Sequence, residues 1–284
     1  MEEFEEKLSP VFKWGGGKRQ LLTEILPKIP PHTRYYEPFI GGAAVLLGLK
    51  PEYAVINDFN EELVNTYKVI RDNPEELIQL LEQHRENNSV DYFYEIRAWD
   101  RNPESYALLS NIQKAARTLY LNRTCFNGLY RVNKSGKFNV PAGKYKNPLI
   151  CDVENLANIS KNLQNVIMRS RDYHDVEEFA DKNTLVYFDP PYRPLNVTSG
   201  FTSYTEEQFN DKDQIELAEL YKKLAGKGVK LLLSNSDPHN VNYEDDFFDA
   251  LYAGFDIQRI TAVRMINSKA EKRGNVTELL IKNY

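Results

Sequence analysis

Leu185-Val186-Tyr187-Phe188-Asp189-Pro190-Pro191-Tyr192 is an apolar run that stops on a carboxylate and two prolines. β-Branched and aromatic residues in such a run form a buried strand, and proline, lacking an N–H, cannot extend it. Asp189, Pro190 and Tyr192 therefore stand at a strand's C-terminal edge, where the loops of open α/β sheets converge on ligands. They offer a carboxylate acceptor, a carbonyl and an aromatic face. An exocyclic amine held in the plane of a stacked base needs those three. A proline-capped turn with a solvated aspartate would use the same residues, so the rest of the chain has to decide.

The elements that must position this group alternate. Phe12-Lys13-Trp14-Gly15-Gly16-Gly17-Lys18 precedes an amphipathic helix expected from about Lys18 to Ile29. A phosphate-binding P-loop is rejected on spacing, because Phe12 and Arg19 stand where that motif needs Gly and Ser or Thr. What remains is a glycine loop able to close around a ligand with Trp14 and Lys18 pointing into it. Tyr35 to Leu47 reads as strand, acid, glycine turn and helix, the geometry for a nucleotide-like cofactor at a helix N-terminus. A second strand ends at Asn57-Asp58, where an acid commonly binds ribose hydroxyls; an N-cap for the helix from Asn60 to Ile70 is the plainer alternative.

From Asn73 to Leu121 the pattern is helical, over Pro74–Arg85, Tyr92–Asp100 and Ser105–Leu121. Residues 127–141 read as a β-hairpin around Lys134-Ser135-Gly136. Strands resume near 165–169, at the Asp189 run, at Val229–Ser234, near Ile257–Val263 and Val276–Lys282, with a helix over Glu206–Ala225. A basic loop with Lys269, Lys272 and Arg273 joins the last two strands. This order predicts a doubly wound, mostly parallel α/β sheet. Residues 61–162 are expected to form a smaller helical and β-hairpin domain inserted into a catalytic domain of residues 1–60 and 163–284.

The overall charge of −5 disfavours a polyanion as partner, but its distribution does not. Between Glu104 and Asp152 there is no acid, only Lys114, Arg117, Arg123, Arg131, Lys134, Lys137, Lys144 and Lys146, with Phe126, Tyr130, Phe138 and Tyr145 interleaved. That mixture suits phosphate and base contacts, and an arginine-bearing hairpin fits a major groove. The acidic N-terminus and the lack of an apolar run of about 18 residues argue against secretion and membrane insertion, so a cytoplasmic protein is expected. Cys125 and Cys151 have no metal-ligand spacing and no Pro-Cys setting, and His32, His84, His174 and His239 are scattered, so no metal is expected and the histidines read as solvated or capping.

Lys-Trp-Gly-Gly-Gly-Lys, Glu-Pro-Phe-Ile-Gly-Gly, Asn-Asp-Phe-Asn, Asn-Gly-Leu-Tyr-Arg, Phe-Asn-Val-Pro-Ala-Gly-Lys-Tyr and Asp-Pro-Pro-Tyr occur in one order. In these motifs and their order the chain resembles Dam-type, S-adenosylmethionine-dependent DNA adenine-N6 methyltransferases, over nearly its whole length. The resemblance implies a Rossmann-like methyltransferase fold with an inserted target-recognition domain. It implies that Trp14, Lys18, Glu37, Phe39, Gly41, Asp58, Asp172 and Tyr173, with Asp189, line the S-adenosylmethionine site. Asp189, Pro190 and Tyr192 would hold an adenine flipped out of double-stranded DNA. Lys13, Phe126, Asn127, Leu129, Arg131, Pro141 and Tyr145 would contact the target, GATC in the family, with Phe126 wedging into the base stack. Transfer to cytosine N4 or an RNA base, or a DNA-binding module without catalysis, are the alternatives; a cognate restriction endonuclease acting on the same site is a possible partner.

Overall fold

The computed structural model describes residues 8–194, 209–263 and 275–284. Seven strands form one sheet: β1 (Arg34–Glu37), β2 (Ala54–Asn57), β3 (Val166–Arg169), β4 (Thr184–Phe188), β5 (Lys230–Ser236), β6 (Asp256–Val263) and β7 (Asn275–Lys282), in the order β3-β2-β1-β4-β5-β7-β6. The first five pair in parallel; β7 runs antiparallel between β5 and β6. This is the doubly wound sheet, closed by an antiparallel hairpin, that the alternating pattern predicts.

β4 is buried along its whole length because its alternating side chains feed two cores. Leu185 and Tyr187 face one, with Tyr35, Ile56 and Leu232; Val186 and Phe188 face the other, with Leu217, Leu231 and Leu233. Each such side chain stabilises the fold by about 1.5–3 kcal/mol through burial. A strand apolar on both faces has only its ends for polar chemistry. The strand order reverses between β1 and β4, which opens a crevice at their C-terminal ends.

Between β2 and β3 the chain forms α3 (Glu61–Asp72), α4 (Pro74–Glu86), α5 (Val90–Ala98), α6 (Pro103–Ala107), α7 (Asn111–Thr124) and α8 (Val153–Asn162). The single helix expected over Ser105–Leu121 is two: Ser110 and Gln113 make a reciprocal capping box that starts α7 afresh after Leu109. The helix expected from Lys18 to Ile29 is likewise broken into a 3-10 turn at Lys18–Leu21, a single turn α1 (Leu22–Ile25) and another 3-10 turn at Leu26–Lys28, with Pro27 just inside the last. After β1 comes α2 (Ala44–Leu49). The helix expected from Glu206 is described only from Asp211, as α9 (Asp211–Gly226), where Asn210 and Asp213 form a capping box. Lys269, Lys272 and Arg273 lie outside the described residues. Finally, α10 (Phe247–Leu251) precedes β6.

A buried ion pair docks the hairpin of residues 127–141 on the helices. Arg117 on α7 meets Asp100 at 2.8 Å, and Asp100 accepts the Phe138 N–H at 2.9 Å. Arg97 donates to the Val140 carbonyl at 3.1 Å, and Arg101 to that of Phe138 at 2.5 Å. The β-hairpin expected over 127–141 is reduced to a looped-back segment held by two isolated antiparallel bridges, Cys125 with Ala142 and Val132 with Phe138, with no paired strands among these described residues; Gly136 closes its turn on Asn133, and the name hairpin is kept for this loop.

Candidate active site

Three neighbouring strands each end in an acid: Glu37 closes β1, Asp58 follows β2 and Asp189 follows β4. Asp189 Oδ1 lies 2.6 Å from Lys18 Nζ, a lysine whose side chain is only 3% exposed. The same ammonium donates to the Gly16 carbonyl at 2.6 Å and sits 4.6 Å from the centre of the Tyr192 ring. The glycine loop thus delivers a cation to the C-terminal edge of β4. Burial pushes the Asp189 carboxyl up to about 6 against the opposing pull of Lys18.

The loop after Asp189 is anchored at successive points. Gln214 of α9 donates to the Pro191 carbonyl at 3.0 Å and accepts from the Asn235 amide of β5 at 3.0 Å. Ser236 donates to the Arg193 carbonyl at 2.9 Å, and the Arg193 guanidinium pairs with Asp211 at 2.9 Å and Asp245 at 2.7 Å. Tyr192 donates its hydroxyl to Glu278 Oε2 on β7 at 2.6 Å. Carboxylate and aromatic face are therefore held by the rigid sheet and not by the loop itself.

Beside this group, Asp58 accepts the Gly41 N–H at 3.1 Å on one oxygen and the Asn60 N–H at 3.0 Å on the other. Asn60, not Asp58, is the side chain that caps α3, accepting from Leu63 N at 3.1 Å. That frees the remaining lone pairs of Asp58 for a ligand. Burial raises its carboxyl to about 6 and raises buried Glu37, which accepts from Tyr35 at 2.7 Å, well above the usual carboxylate range. Gly41 has φ +44°, and a Cβ there would stand 2.9 Å from the Trp14 ring. Trp14 stacks on Tyr130 with ring centres 5.5 Å apart, so it joins the turn at Gly41 to the start of the 127–141 segment. Phe39 faces Tyr173 at 5.3 Å. Asp172 is 61% exposed and holds the His174 ring at 2.5 Å.

The residues expected to contact DNA converge. Lys13 Nζ lies 4.1 Å from the centre of the Tyr145 ring. Phe126 donates its N–H to the Pro141 carbonyl at 2.9 Å, and Leu129 donates to the Phe126 carbonyl at 3.2 Å. Asn127 takes a left-handed φ of 54°, and Phe126, 50% exposed, projects beside it. Arg131 stands further along the hairpin, its Nε donating to Asn139 at 2.8 Å.

The sequence profile of the D12 class of N6 adenine-specific DNA methyltransferases matches residues 14–266, which takes in the glycine loop, all three acid-ended strands and the hairpin. The chain belongs to that family. It is 44% identical over 297 residues to the type II methyltransferase M.MjaIII of Methanocaldococcus jannaschii, covering 98% of this chain and all of the relative. The type II methyltransferase M1.LlaDCHI of Lactococcus lactis subsp. cremoris is 45% identical over 280 residues, with 98% and 96% covered. The DNA adenine methylase of Vibrio cholerae is 32% identical over 278 residues, with 97% and 96% covered.

In this methyltransferase the basic segment divides in two. Arg117 is buried against Asp100 and bonds the Ile96 and Arg97 carbonyls at 3.1 and 3.0 Å, and mostly buried Arg123 reaches the Pro10 carbonyl at 3.4 Å. They build the scaffold, whereas Lys134, Lys144 and Lys146 are exposed. His84 also departs from expectation. It is neither solvated nor a cap but buried, stacked on Tyr120 with centres 4.9 Å apart and bonded to Tyr92 at 2.8 Å. Both cysteines are buried, and burial pushes each thiol up to about 12. Among the described residues, His239, Asp246 and Asp249 bring ligand atoms within 4.8 Å of one another, but Arg259 already pairs with Asp249 at 2.7 Å. No helix among the described residues is long and apolar enough to cross a membrane.

Three site residues escape a sequence reading. Glu278 sits in an ordinary alternating strand, far along the chain from Tyr192. Buried Asn57 donates to the Pro38 and Arg171 carbonyls at 3.2 and 2.8 Å, which fixes the turns bearing Phe39 and Asp172 to each other. Phe59 is 69% exposed beside Asp58, and the Asn-Asp-Phe-Asn motif was a signal for it.

Proposed function

We propose that this enzyme takes its methyl group from S-adenosylmethionine and delivers it to N6 of an adenine flipped out of double-stranded DNA, with GATC as the target. The observation that carries the reading is the grip at the end of β4, where Asp189 and the face of Tyr192 share the Lys18 ammonium.

The chain has the donor set for the cofactor. Asp58 would take the ribose hydroxyls, the aromatic pair Phe39 and Tyr173 the adenine, with Asp172 beside it, and the acids Glu37 and Asp189 suit a cation. Trp14 and Gly41 shape the turn, with Gly41 giving room that a Cβ would fill. Bound S-adenosylmethionine supplies an electrophilic methyl on a positive sulfur.

The protein's own residues then act on the acceptor. Adenine N6 is a weak nucleophile because its lone pair is delocalised into the ring. Hydrogen bonds from its two protons to the Asp189 carboxylate and the Pro190 carbonyl localise that pair and aim it. Tyr192 stacks on the extruded base, which positioning alone makes reactive by several orders of magnitude. The target is reached through Lys13, Asn127, Leu129, Arg131, Pro141 and Tyr145, while Phe126 fills the gap left in the stack. We assign residues 61–162 to target recognition and the rest to the catalytic domain, in a cytoplasmic enzyme. Since the relatives of 44% and 45% identity are named type II methyltransferases, protection of DNA from a cognate endonuclease is the favoured role.

Labelled S-adenosylmethionine with duplexes that differ only in the presence of GATC tests this. Label on adenine N6 in the GATC duplex alone supports it. Label on cytosine sinks the substrate, label on adenine elsewhere sinks the target sequence, and cofactor binding without transfer to any DNA supports the inactive module.

A further inference from the structure

We propose that Glu278 is a positioning residue that fixes the ring of Tyr192 at the angle needed to stack on the target base. The inference rests on the reading of Tyr192 as the stacking face. A tyrosine at the end of a loop has two side-chain torsions to hold, and packing against one wall sets only part of them. Glu278 Oε2 takes the far end of the ring, accepting the Tyr192 O–H at 2.6 Å, a length typical of a charge-assisted bond.

The acceptor is itself immobile. Glu278 lies mid-strand in β7, paired with Ser236 of β5 on one side and Ile260 of β6 on the other. Its neighbour Thr277 is tied to Asp237 at 2.5 Å and takes its N–H to Asn240 at 2.9 Å. The ring is thereby strung between the Lys18 ammonium near its face and a carboxylate at its hydroxyl. Burial holds the phenol well above its ordinary range, so the O–H remains a donor at all working pH values. Glu278 also faces Asp189 closely enough to raise that carboxyl. It reaches the chemistry through Tyr192 and through its charge near Asp189, not by touching the base, and assays at about pH 8, where Asp189 is ionised in every variant, isolate the first route.

The test is a double-mutant cycle read in kcat and KM on unmethylated bacteriophage DNA, which presumes no particular recognition sequence. Tyr192→Ala reports the stacking face. Glu278→Ala and Tyr192→Phe cut the same bond from its two ends, each lowering kcat by about tenfold, with KM for S-adenosylmethionine unchanged. The double variant Y192F/E278A falls no further than either single, and Glu278→Gln, which keeps an acceptor, recovers most of the rate. Full kcat in Glu278→Ala, or losses that multiply in the double variant, overturns the inference. Full kcat in Tyr192→Ala overturns the stacking face itself and with it the role of Glu278. Should Glu278→Ala fail to fold, Glu278→Met, which fills the same space in β7 but offers no oxygen acceptor to the Tyr192 hydroxyl, takes its place in the cycle.

Discussion

Lys18 Nζ stands 2.6 Å from Asp189 Oδ1 and 4.6 Å from the centre of the Tyr192 ring, so a single ammonium touches the carboxylate and the aromatic face that the proposed amine would need. In the free enzyme it lies against a partly buried acid whose carboxyl it pulls down against the effect of burial.

Removing either partner strips the other of the opposite charge beside it. Lys18→Met and Asp189→Asn each lower unfolding free energy by about 3 kcal/mol or more, and the double variant recovers part of the loss. Chemical denaturation of the four proteins checks it; simple addition of the two losses sinks the pairing. Methyl transfer by Asp189→Asn falls by roughly a hundredfold or more.

The pair also sets a pH limb. The ionised Asp189 is the form that accepts N6–H, and in the free enzyme burial lifts its carboxyl to about 6, so the rate at sub-saturating cofactor and DNA rises through that pH and levels above it. Lys18 pulls the value down, so in Lys18→Met the limb moves upward by about one unit or more. A limb that stays in place or moves down contradicts the assignment.

Gly41→Ala would put a Cβ 2.9 Å from the Trp14 ring at a φ of +44°. Displacing Trp14 disturbs both the cofactor turn and the Tyr130 stack, so cofactor affinity falls along with a stability loss of about 1–3 kcal/mol. Calorimetric titration beside thermal melting measures both. Wild-type affinity would show that Trp14 yields freely.

Phe126→Ala behaves differently. Half its surface is exposed, so stability falls by only about 1 kcal/mol. Fluorescence of 2-aminopurine at the target base reads the loss of extrusion directly. An unchanged signal removes Phe126 from the wedge role.

His84 predicts an acid sensitivity remote from catalysis. Burial pushes its imidazole down to about 4, so the folded state binds fewer protons than the unfolded chain between that pH and about 6.5. Its contribution is therefore complete above about 6.5 and lost as pH falls towards 4, to the extent of roughly 3 kcal/mol. His84→Phe removes that slope, which denaturation at pH 7 and pH 5 compares.

The sheet was legible because burial writes its own pattern: β4 is apolar on both faces and stops at Pro190, and the three neighbouring strands β2, β1 and β4 each end at a visible acid. Partners within a motif were legible too. What escaped were relations across the chain. Nothing local to Glu278 or Asn57 marks them, since their roles are fixed by strand pairing and turns more than 80 residues from Tyr192 and more than 100 from Arg171 respectively. The charge of Arg117 misled for the converse reason: sequence shows a cation but not that Asp100 has been folded against it.

Asn122 is fully buried, accepting the Lys13 N–H at 2.8 Å and donating to the carbonyls of Lys13 at 2.9 Å and Gly128 at 3.0 Å. One amide thus clasps the loop that carries Lys18 to the turn that carries Phe126 and Asn127. The two cannot drift independently, so the foot of the hairpin is poor ground for grafting foreign sequence. The graft point is the tip between Val132 and Phe138, beyond the clasp, where new side chains can be tried without loosening the ammonium on Asp189.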